Sequence, residues 1–310
     1  MKRFKSILVA TDTRFDKHPI VEEAAEIARH NQASIKIVDI VPPFSWFSRY
    51  ATEEHEHLSE LLRKEKSEKL AVLAESIRGK GIDVSSKVLI GKASDEIVKE
   101  VIRGENNLVI AIAKGKNSKR NGSFGHTATR LLRQCPCAVW LVAPSSRPKF
   151  KHILGCVDPA SVEGVDTELN DKIFELSHSI SKYHDGRFSI LHAWHMDDEA
   201  LLGARLQLEV TAQYAEDEER HHRNKLDTFL EQHESSSDAD NVHLVKGKTE
   251  EAICAFVDAS AVDLLVMGTV ARKGMSGYFI GNTAEKILSQ LECSLLALKP
   301  YGFKSSIKVS

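Results

Sequence analysis

No apolar run in this sequence approaches the roughly 20 residues that a helix needs to cross a bilayer. The first apolar stretch, residues 7–10, is too short for a secretory signal and is followed by Asp12. The five cysteines are odd in number and have no paired spacing, which is typical of a reducing compartment rather than of a disulfide framework. The sequence therefore predicts a cytoplasmic protein that does not enter a membrane.

An excess of positive charge is also missing, because the net charge is −2. Sequence-independent binding of nucleic acid needs a basic surface, so a nucleic-acid partner is not expected. The chain contains no GxSxG, kinase or HExxH motif and no CxxC framework. Its histidines, among them His192, His195, His221 and His222, therefore do not indicate a metal site. The sequence favours a binding protein without catalytic residues over an enzyme.

What the sequence does contain is an internal repeat. At 310 residues the chain exceeds one hydrophobic core, and two domains are expected. Residues 7–12 match residues 153–158 at an offset of 146, and from the third strand onward the offset is 156. The second alignment pairs Gly125 with Gly281, Leu132 with Leu288 and Cys137 with Cys293. We assign residues 1–146 to domain 1 and residues 147–310 to domain 2, with a polar, proline-containing linker at residues 144–148.

Each half alternates short β-branched runs with longer amphipathic segments, which indicates a parallel sheet wrapped by helices. The predicted strands are residues 6–11, 34–40, 85–90, 108–112 and 138–142, and then 152–157, 188–193, 242–246, 263–267 and 294–298. The predicted fold is α/β, with two tandem, doubly wound, Rossmann-like domains, each a five-stranded parallel sheet flanked by helices. Ligands of such domains bind beyond the carboxyl ends of the strands. Residues 302–310 are expected to form a mobile tail.

The main candidate for a ligand site is the segment from Gly268 to Thr283, which joins the fourth strand of domain 2 to a helix. Glycines allow close approach of the backbone to a ligand, and unpaired amides at a helix start attract phosphate oxygens. Glycines and caps are also ordinary features of such connections, so the composition of the loop leaves both interpretations open. Asp12 and Asp158 close the first strands, where an Asp also caps a turn without any ligand.

The spacing of Gly268, Ala271, Gly281 and Asn282 resembles the universal stress protein motif, in which G-x2-G-x9-G precedes Ser or Thr. The run from Gly281 to Glu285 is especially similar to tandem members of the E type, and the resemblance covers nearly the whole chain. It implies a stress-response protein that binds ATP or a related adenine nucleotide in domain 2, with slow ATP hydrolysis left open. The nucleotide-binding residues that it implies are Asp158, Ala193, Met267, Gly268, Ala271, Gly281, Asn282 and Thr283.

The sequence departs from that family's motif in both halves. In domain 2, Ala271 replaces a glycine and Asn282 replaces Ser or Thr. In domain 1, the bulky Ile112 at the first glycine position argues against nucleotide binding, and a capping role is favoured for Asp12. The other degenerate equivalents in domain 1 are Gly115, Gly125 and His126.

The lost motif glycines and the aromatic stretch at residues 42–47 leave two alternatives open: a non-nucleotide ligand with an apolar portion, or a ligand-free interaction scaffold. The resemblance also implies an internal pseudo-dimer, in which residues 138–142 pair with residues 294–298 and Trp140 and Leu296 occupy matching positions. Formation of a homodimer by the tandem chain stays open. The segment Cys135-Pro136-Cys137 is not a redox CxxC, and structural packing is expected for it.

Overall fold

The computed structural model describes residues 4–43, 52–114, 124–143, 149–161, 164–196, 208–236, 238–269 and 281–309. Several features of the sequence prediction lie outside these ranges: Ala271, Gly115, the linker at residues 144–148 and the aromatic residues at 44–47.

Each half of the chain contributes five strands. The first half contains β1 Ser6–Ala10, β2 Ser34–Val41, β3 Val84–Ile90, β4 Leu108–Ile112 and β5 Ala138–Val142. The second half contains β6 His152–Cys156, β7 Arg187–Trp194, β8 Val242–Lys246, β9 Leu264–Gly268 and β10 Ser294–Leu298. These bounds lie within one or two residues of the predicted strands. Buried strands such as β1, β4 and β10 are marked in the sequence by continuous apolar runs.

The helices connect the strands in the order expected of a doubly wound fold. They are α1 Pro19–Asn31, α2 Thr52–Arg78, α3 Ala93–Arg103, α4 His126–Gln134, α5 Gly164–His184, α6 Leu208–Glu231, α7 Thr249–Ala259 and α8 Asn282–Gln290. The first shows how local sequence sets the bounds: Pro19 suits a helix start, and Gln32 ends the helix in a left-handed conformation with φ of 52°.

The ten strands form one sheet in the order β3-β2-β1-β4-β5-β10-β9-β6-β7-β8. Neighbouring strands within each half are parallel, and the only antiparallel pair among the described strands is β5 with β10. The predicted fold class of two tandem Rossmann-like domains is therefore confirmed. The structure adds that the two five-stranded sheets join edge to edge, so that neither fifth strand is left as an exposed edge.

The pairing of β5 with β10 places a pseudo-twofold axis at one residue pair. Trp140 lies directly opposite Leu296, and these two residues are 156 positions apart, which is the offset of the repeat. On either side, Val139 faces Ala297 and Leu141 faces Leu295. Both residues on the axis are fully buried. The centre of the molecule is thus an apolar contact between repeat-equivalent positions.

The sheet is covered on both faces by helices. Because successive side chains of a strand point to opposite faces, Ile7 and Val9 belong to one core and Leu8 to the other. The first core contains buried residues of α1, α2, α5 and α6, and the second contains buried residues of α3, α4, α7 and α8. Each core runs through both halves of the protein.

The join between the halves, where β5 pairs with β10, is called the seam below. Contacts between helices stabilise it on both faces of the sheet. On one face, His184 of α5 lies 3.1 Å from the Glu23 carboxylate of α1, and the rings of His30 and Tyr183 stack with centroids 4.1 Å apart. On the other face, Arg133 of α4 pairs with Glu285 of α8.

Part of the segment after residue 302, which the sequence predicts to be a mobile tail, contacts the rest of the protein. Ile307 packs against the second core, and the segment before it lines a cavity beside domain 1. Lys299, at the start of this segment, donates a hydrogen bond to the carbonyl oxygen of Leu132 in α4. The tail is therefore part of the contact between the two halves.

None of the helices in the described part of the chain is long and apolar enough to span a membrane.

Candidate functional site

The residues predicted to bind nucleotide in domain 2 converge at one edge of the sheet. Strands β9, β6 and β7 are adjacent and parallel, so their carboxyl ends meet. Asp158 follows β6 closely, Ala193 lies near the end of β7, and Gly268 is the last residue of β9. Helix α8 starts beyond the same edge at Asn282. The predicted residues therefore meet at one edge, apart from Met267, whose side chain is buried in the second core, and Ala271, which is not among the described residues.

Asp158 is held in place by its backbone. Its N–H donates to the side-chain oxygen of Asn170, and the amide nitrogen of Asn170 donates back to the Asp158 carbonyl, both at 3.0 Å. Asn170 belongs to α5 and is buried. The paired hydrogen bonds fix the end of β6 against this helix, with the Asp158 side chain half-buried at the edge of the sheet. No sequence motif marks Asn170, because its role depends on the packing of α5.

Gly268 has a packing role that the sequence did not indicate. A Cβ atom at this position would lie 2.7 Å from a methyl carbon of Leu169, which is far inside normal contact distance. Its backbone does not adopt a left-handed conformation, so what the glycine provides here is room for the Leu169 side chain of α5 against the end of the strand. A larger residue at position 268 would require the Leu169 side chain to move, so packing favours a glycine here without any ligand.

The starts of α8 and α4 have the same geometry. Gly281 and Gly125 are the N-cap residues, with extended ψ angles of 147° and 172°, and each donates its N–H back to the end of the preceding strand segment. The first amides of an α-helix have no acceptor inside the helix, and the helix dipole makes this end positive. Asn282 and Thr283 in α8 are exposed, as is His126 in α4. Both helix starts can therefore receive an anion.

The corresponding edge of domain 1 is occupied by an internal ionic network. The Asp39 carboxylate, at the end of β2, accepts hydrogen bonds from the Thr13 N–H at 2.8 Å, the Thr13 hydroxyl at 2.6 Å and the Lys66 ammonium at 2.6 Å. The Lys66 and Asp39 side chains are 11% and 5% exposed. A buried ion pair of this kind is retained only when its hydrogen bonds are satisfied, as they are here.

Asp12 closes a turn, in the capping role that was expected. Its Oδ1 accepts from the backbone N–H of Arg14 at 3.1 Å, and the Arg14 guanidinium contacts both carboxylate oxygens at 2.8 and 2.6 Å. Burial raises the pKa of Asp12, but the hydrogen bonds and charge of Arg14 outweigh it and hold that pKa below its ordinary value. The carboxylate that would approach a base in domain 1 is thus engaged by the chain's own arginine.

Domain 2 carries two histidines where domain 1 carries its ion pair. Ala10 and Cys156 are equivalent positions of the repeat, at the offset of 146. Asp39 lies one residue beyond the sheet partner of Ala10, and His192 lies one residue beyond the sheet partner of Cys156. His222 stands 156 residues after Lys66, on the equivalent helix. Equivalent positions of the repeat thus hold a buried ion pair in one half and a histidine pair in the other.

Hydrogen bonds define the tautomers of this histidine pair. The carbonyl oxygen of Val157 can only accept, so Nδ1–H of His192 donates to it at 3.1 Å. Nε2 of His192 then carries the lone pair and accepts from Nδ1–H of His222 at 2.9 Å. Burial lowers the pKa of His192 to about 4, against the opposing charge of Asp158. The sequence alone indicated only a solvated helix around His222 and missed this contact.

Acidification is expected to destabilise the protein through His192. Its folded pKa is about 4 and its unfolded value is 6.5, so the unfolded chain binds more protons between these limits. The contribution of neutral His192 to the free energy of unfolding is therefore fully present above pH 6.5. It falls as the pH decreases, by about 1–2 kcal/mol between pH 7 and 5. Denaturant unfolding at both pH values measures this change.

The matched variant is His192→Asn, because the asparagine amide can replace Nδ1–H as the donor to Val157. We expect its loss of stability between pH 7 and 5 to be smaller than that of the original protein by about 1–2 kcal/mol. Equal losses in the two proteins would contradict the assignment.

Comparison with the models of known protein families identifies the family of both halves. The model of the universal stress protein family matches residues 3–143 and again residues 149–299. The chain belongs to the universal stress protein family. As a tandem universal stress protein it is similar over its full length to Universal stress protein E of Photorhabdus laumondii, at 24% identity covering 99% of that protein. It is also similar to Universal stress protein E of Escherichia coli K12, at 23% identity covering 98%. The resemblance to the E type is thereby confirmed.

Solved structures agree on the fold of this universal stress protein. A functionally unknown protein from Pseudomonas aeruginosa PAO1 superimposes with a TM-score of 0.73 at 23% identity, covering 96% of this chain and 94% of that one. A universal stress protein from Archaeoglobus fulgidus superimposes with a TM-score of 0.60 at 15% identity, covering 95% of this chain and 98% of that one. These similarities establish the tandem architecture.

Proposed function

We propose that this universal stress protein is a stress-response binding protein whose domain 2 binds ATP or a related adenine nucleotide. The observation that carries the proposal is the convergence of Asp158, Ala193, Gly268 and the start of α8 at one sheet edge. A carboxylate beside a ribose or base and helix amides beside phosphates form a chemically suitable donor and acceptor set.

The two domains differ in what they offer a nucleotide. In domain 1, the Asp12 carboxylate is held by the Arg14 guanidinium, and the same edge of the sheet contains the buried ion pair of Lys66 and Asp39. In domain 2, the corresponding pair is His192 with His222, which carries no full charge in its hydrogen-bonded tautomers. Because the Arg14 guanidinium occupies both carboxylate oxygens of Asp12, that carboxylate is not available to a ribose, and a nucleotide is expected to favour domain 2.

The backbone amide of Asn282 provides a direct test, because proline can remove it without breaking the helix. Proline is favoured at the first position of a helix, and the preceding Gly281 already has the extended ψ that proline requires. Loss of one hydrogen bond to a charged phosphate costs about 1.5–3 kcal/mol. We expect Asn282→Pro to weaken ATP binding by roughly tenfold or more in calorimetry.

The repeat supplies the control for this experiment. His126→Pro makes the same change at the start of α4, where Gly125 is also extended. Its ATP affinity is expected to match that of the original protein. Equal weakening by both substitutions, or no binding of ATP by the original protein, would refute nucleotide binding at α8.

A second candidate is a non-nucleotide ligand with an apolar portion. A cavity of about 970 Å³ lies at the seam, with Phe4, Leu176 and Leu298 in its wall and Lys172 and Lys299 beside them. The cavity also contains Lys304 and one carboxylate, Glu105, so that cations outnumber anions in a largely apolar wall, which suits an amphipathic anion. Mass spectrometry of small molecules released on denaturation separates the candidates. Recovered adenine nucleotide supports the first, and a recovered amphipathic compound supports the second.

A further inference from the structure

Two thiols and an amine meet where the halves join. The Sγ atoms of Cys135 and Cys137 lie 3.5 Å apart, at the turn between α4 and β5. Lys299 follows β10 and reaches across from the other half of the chain. It donates to the Leu132 carbonyl in the last turns of α4 and to the Thr269 hydroxyl at 3.0 Å. Only the antiparallel pairing of β5 with β10 brings these groups together.

The repeat shows that packing does not require this arrangement. At the repeat offset of 156, Cys135 corresponds to Leu291 and Lys299 corresponds to Ala143. Both counterparts are buried apolar residues, and only Cys137 has a cysteine counterpart, Cys293. Domain 2 therefore completes the same turn with one thiol and no amine. The second thiol and the cation are additions on one side of the pseudo-twofold axis.

Each of these three groups shifts the pKa of the others. Burial lowers the pKa of Lys299 to about 8, and negative charge on the two sulfurs opposes that effect. Burial raises the pKa of Cys135, but the hydrogen bond with Cys137 and the charge of Lys299 bring it below its ordinary value. The hydrogen bond with Cys135 raises the pKa of Cys137. The two sulfurs thus share one proton beside a cation, which favours a thiolate in the pair.

The pair is also accessible from one side. Cys137 and Lys299 both line the seam cavity, whereas Cys135 is fully buried behind them. A small reagent in the cavity therefore reaches the sulfur of Cys137 first, and Cys135 is placed to react second.

We propose that Cys135 and Cys137 form a dithiol site that reduces hydroperoxides and becomes a disulfide. The Cys137 sulfur attacks the terminal peroxide oxygen as its proton passes to the Cys135 thiolate 3.5 Å away. The O–O bond breaks and the departing oxygen takes that proton from Cys135, which yields a Cys137 sulfenic acid and an alcohol, or water from hydrogen peroxide. The Cys135 thiolate then attacks the Cys137 sulfur and displaces hydroxide, which leaves as water after protonation. Two thiols are oxidised by two electrons in total, and the peroxide is reduced. The sulfurs must approach by about 1.5 Å to form the bond.

The test uses hydrogen peroxide and the intact chain, followed by peptide mass spectrometry. The original protein is expected to lose about 2 Da in the peptide that contains both cysteines, and to recover this mass with a reductant. Cys135→Ser should instead add oxygen at Cys137. Lys299→Met keeps the side chain's length without its charge and should slow disulfide formation by roughly tenfold.

Cys293 is the internal reference, because it is the repeat counterpart of Cys137 and the buried, apolar Leu291 stands in place of a second thiol. Cys293→Ser should leave the rate of disulfide formation unchanged. Oxidation of Cys135 and Cys137 no faster than that of Cys293, or oxygen addition without a disulfide in the original protein, would overturn the proposal. Circular dichroism of each variant verifies that it is folded.

Discussion

Replacing Trp140 with alanine is expected to lower the free energy of unfolding by about 3–5 kcal/mol. The indole is fully buried in the central strand pair, faces Leu296 across the pseudo-twofold axis and stacks on Phe150 with ring centroids 5.9 Å apart. Its removal leaves a cavity between the two halves that rigid neighbouring strands cannot close. Urea denaturation, followed by fluorescence and by circular dichroism, measures the loss.

The control for Trp140 is an apolar side chain that packs against little. Val72 on α2 is 72% exposed, so Val72→Ala should change stability by less than about 0.5 kcal/mol. Leu296→Ala tests the other side of the axis and should cost about 2–5 kcal/mol. A loss below about 1 kcal/mol in Trp140→Ala would show that the seam contributes little to the stability of the fold.

Lys66→Met is expected to destabilise the protein by about 3–5 kcal/mol, because it leaves the Asp39 carboxylate buried without its cation. Lys66 lies 2.6 Å from Asp39, and both side chains are shielded from water by α2 and the sheet. The double variant Asp39→Asn/Lys66→Met removes both charges and should be less destabilised than the sum of the single changes. Chemical denaturation of the four proteins completes the cycle.

An exposed ion pair on the same helix provides the comparison. Lys69 pairs with Glu65 at 2.6 Å, but these side chains are 48% and 58% exposed. Screening by water makes such pairs weak, so Lys69→Met should change stability by less than about 1 kcal/mol. If Lys66→Met is no more damaging than Lys69→Met, the buried network does not support domain 1.

The sequence predicted correctly the features that depend on neighbouring residues and missed those that depend on contacts between distant residues. Strands such as Leu108–Ile112 were placed correctly because their burial on both faces is visible as a local apolar run. The sequence placed the start of the last helix near Thr283, one residue from its observed start at Asn282. By contrast, the contact of His192 with His222 joins positions 30 residues apart on different elements, and the sequence around His222 is that of an exposed helix.

The same limit applies to the packing of single residues in the candidate site. Gly268 was recognised from its motif, but its close contact with a methyl group of Leu169 on another element was not. Asn170 was missed because an asparagine within a helix has no distinctive local pattern, although its side chain fixes the end of β6. Such roles depend on which helix face meets which strand end.

The sequence by itself determined the two copies and their strands and predicted the sheet edge at which a ligand is expected, because apolar patterns within a strand and matches between the copies can both be read directly from the sequence. The tertiary structure decided how the copies differ. It placed Lys66 against Asp39 in one half and His222 against His192 in the other. It also carried Lys299 across the seam to the turn with Cys135 and Cys137. These contacts arise from antiparallel pairing and helix packing over long sequence distances, for which no local pattern exists.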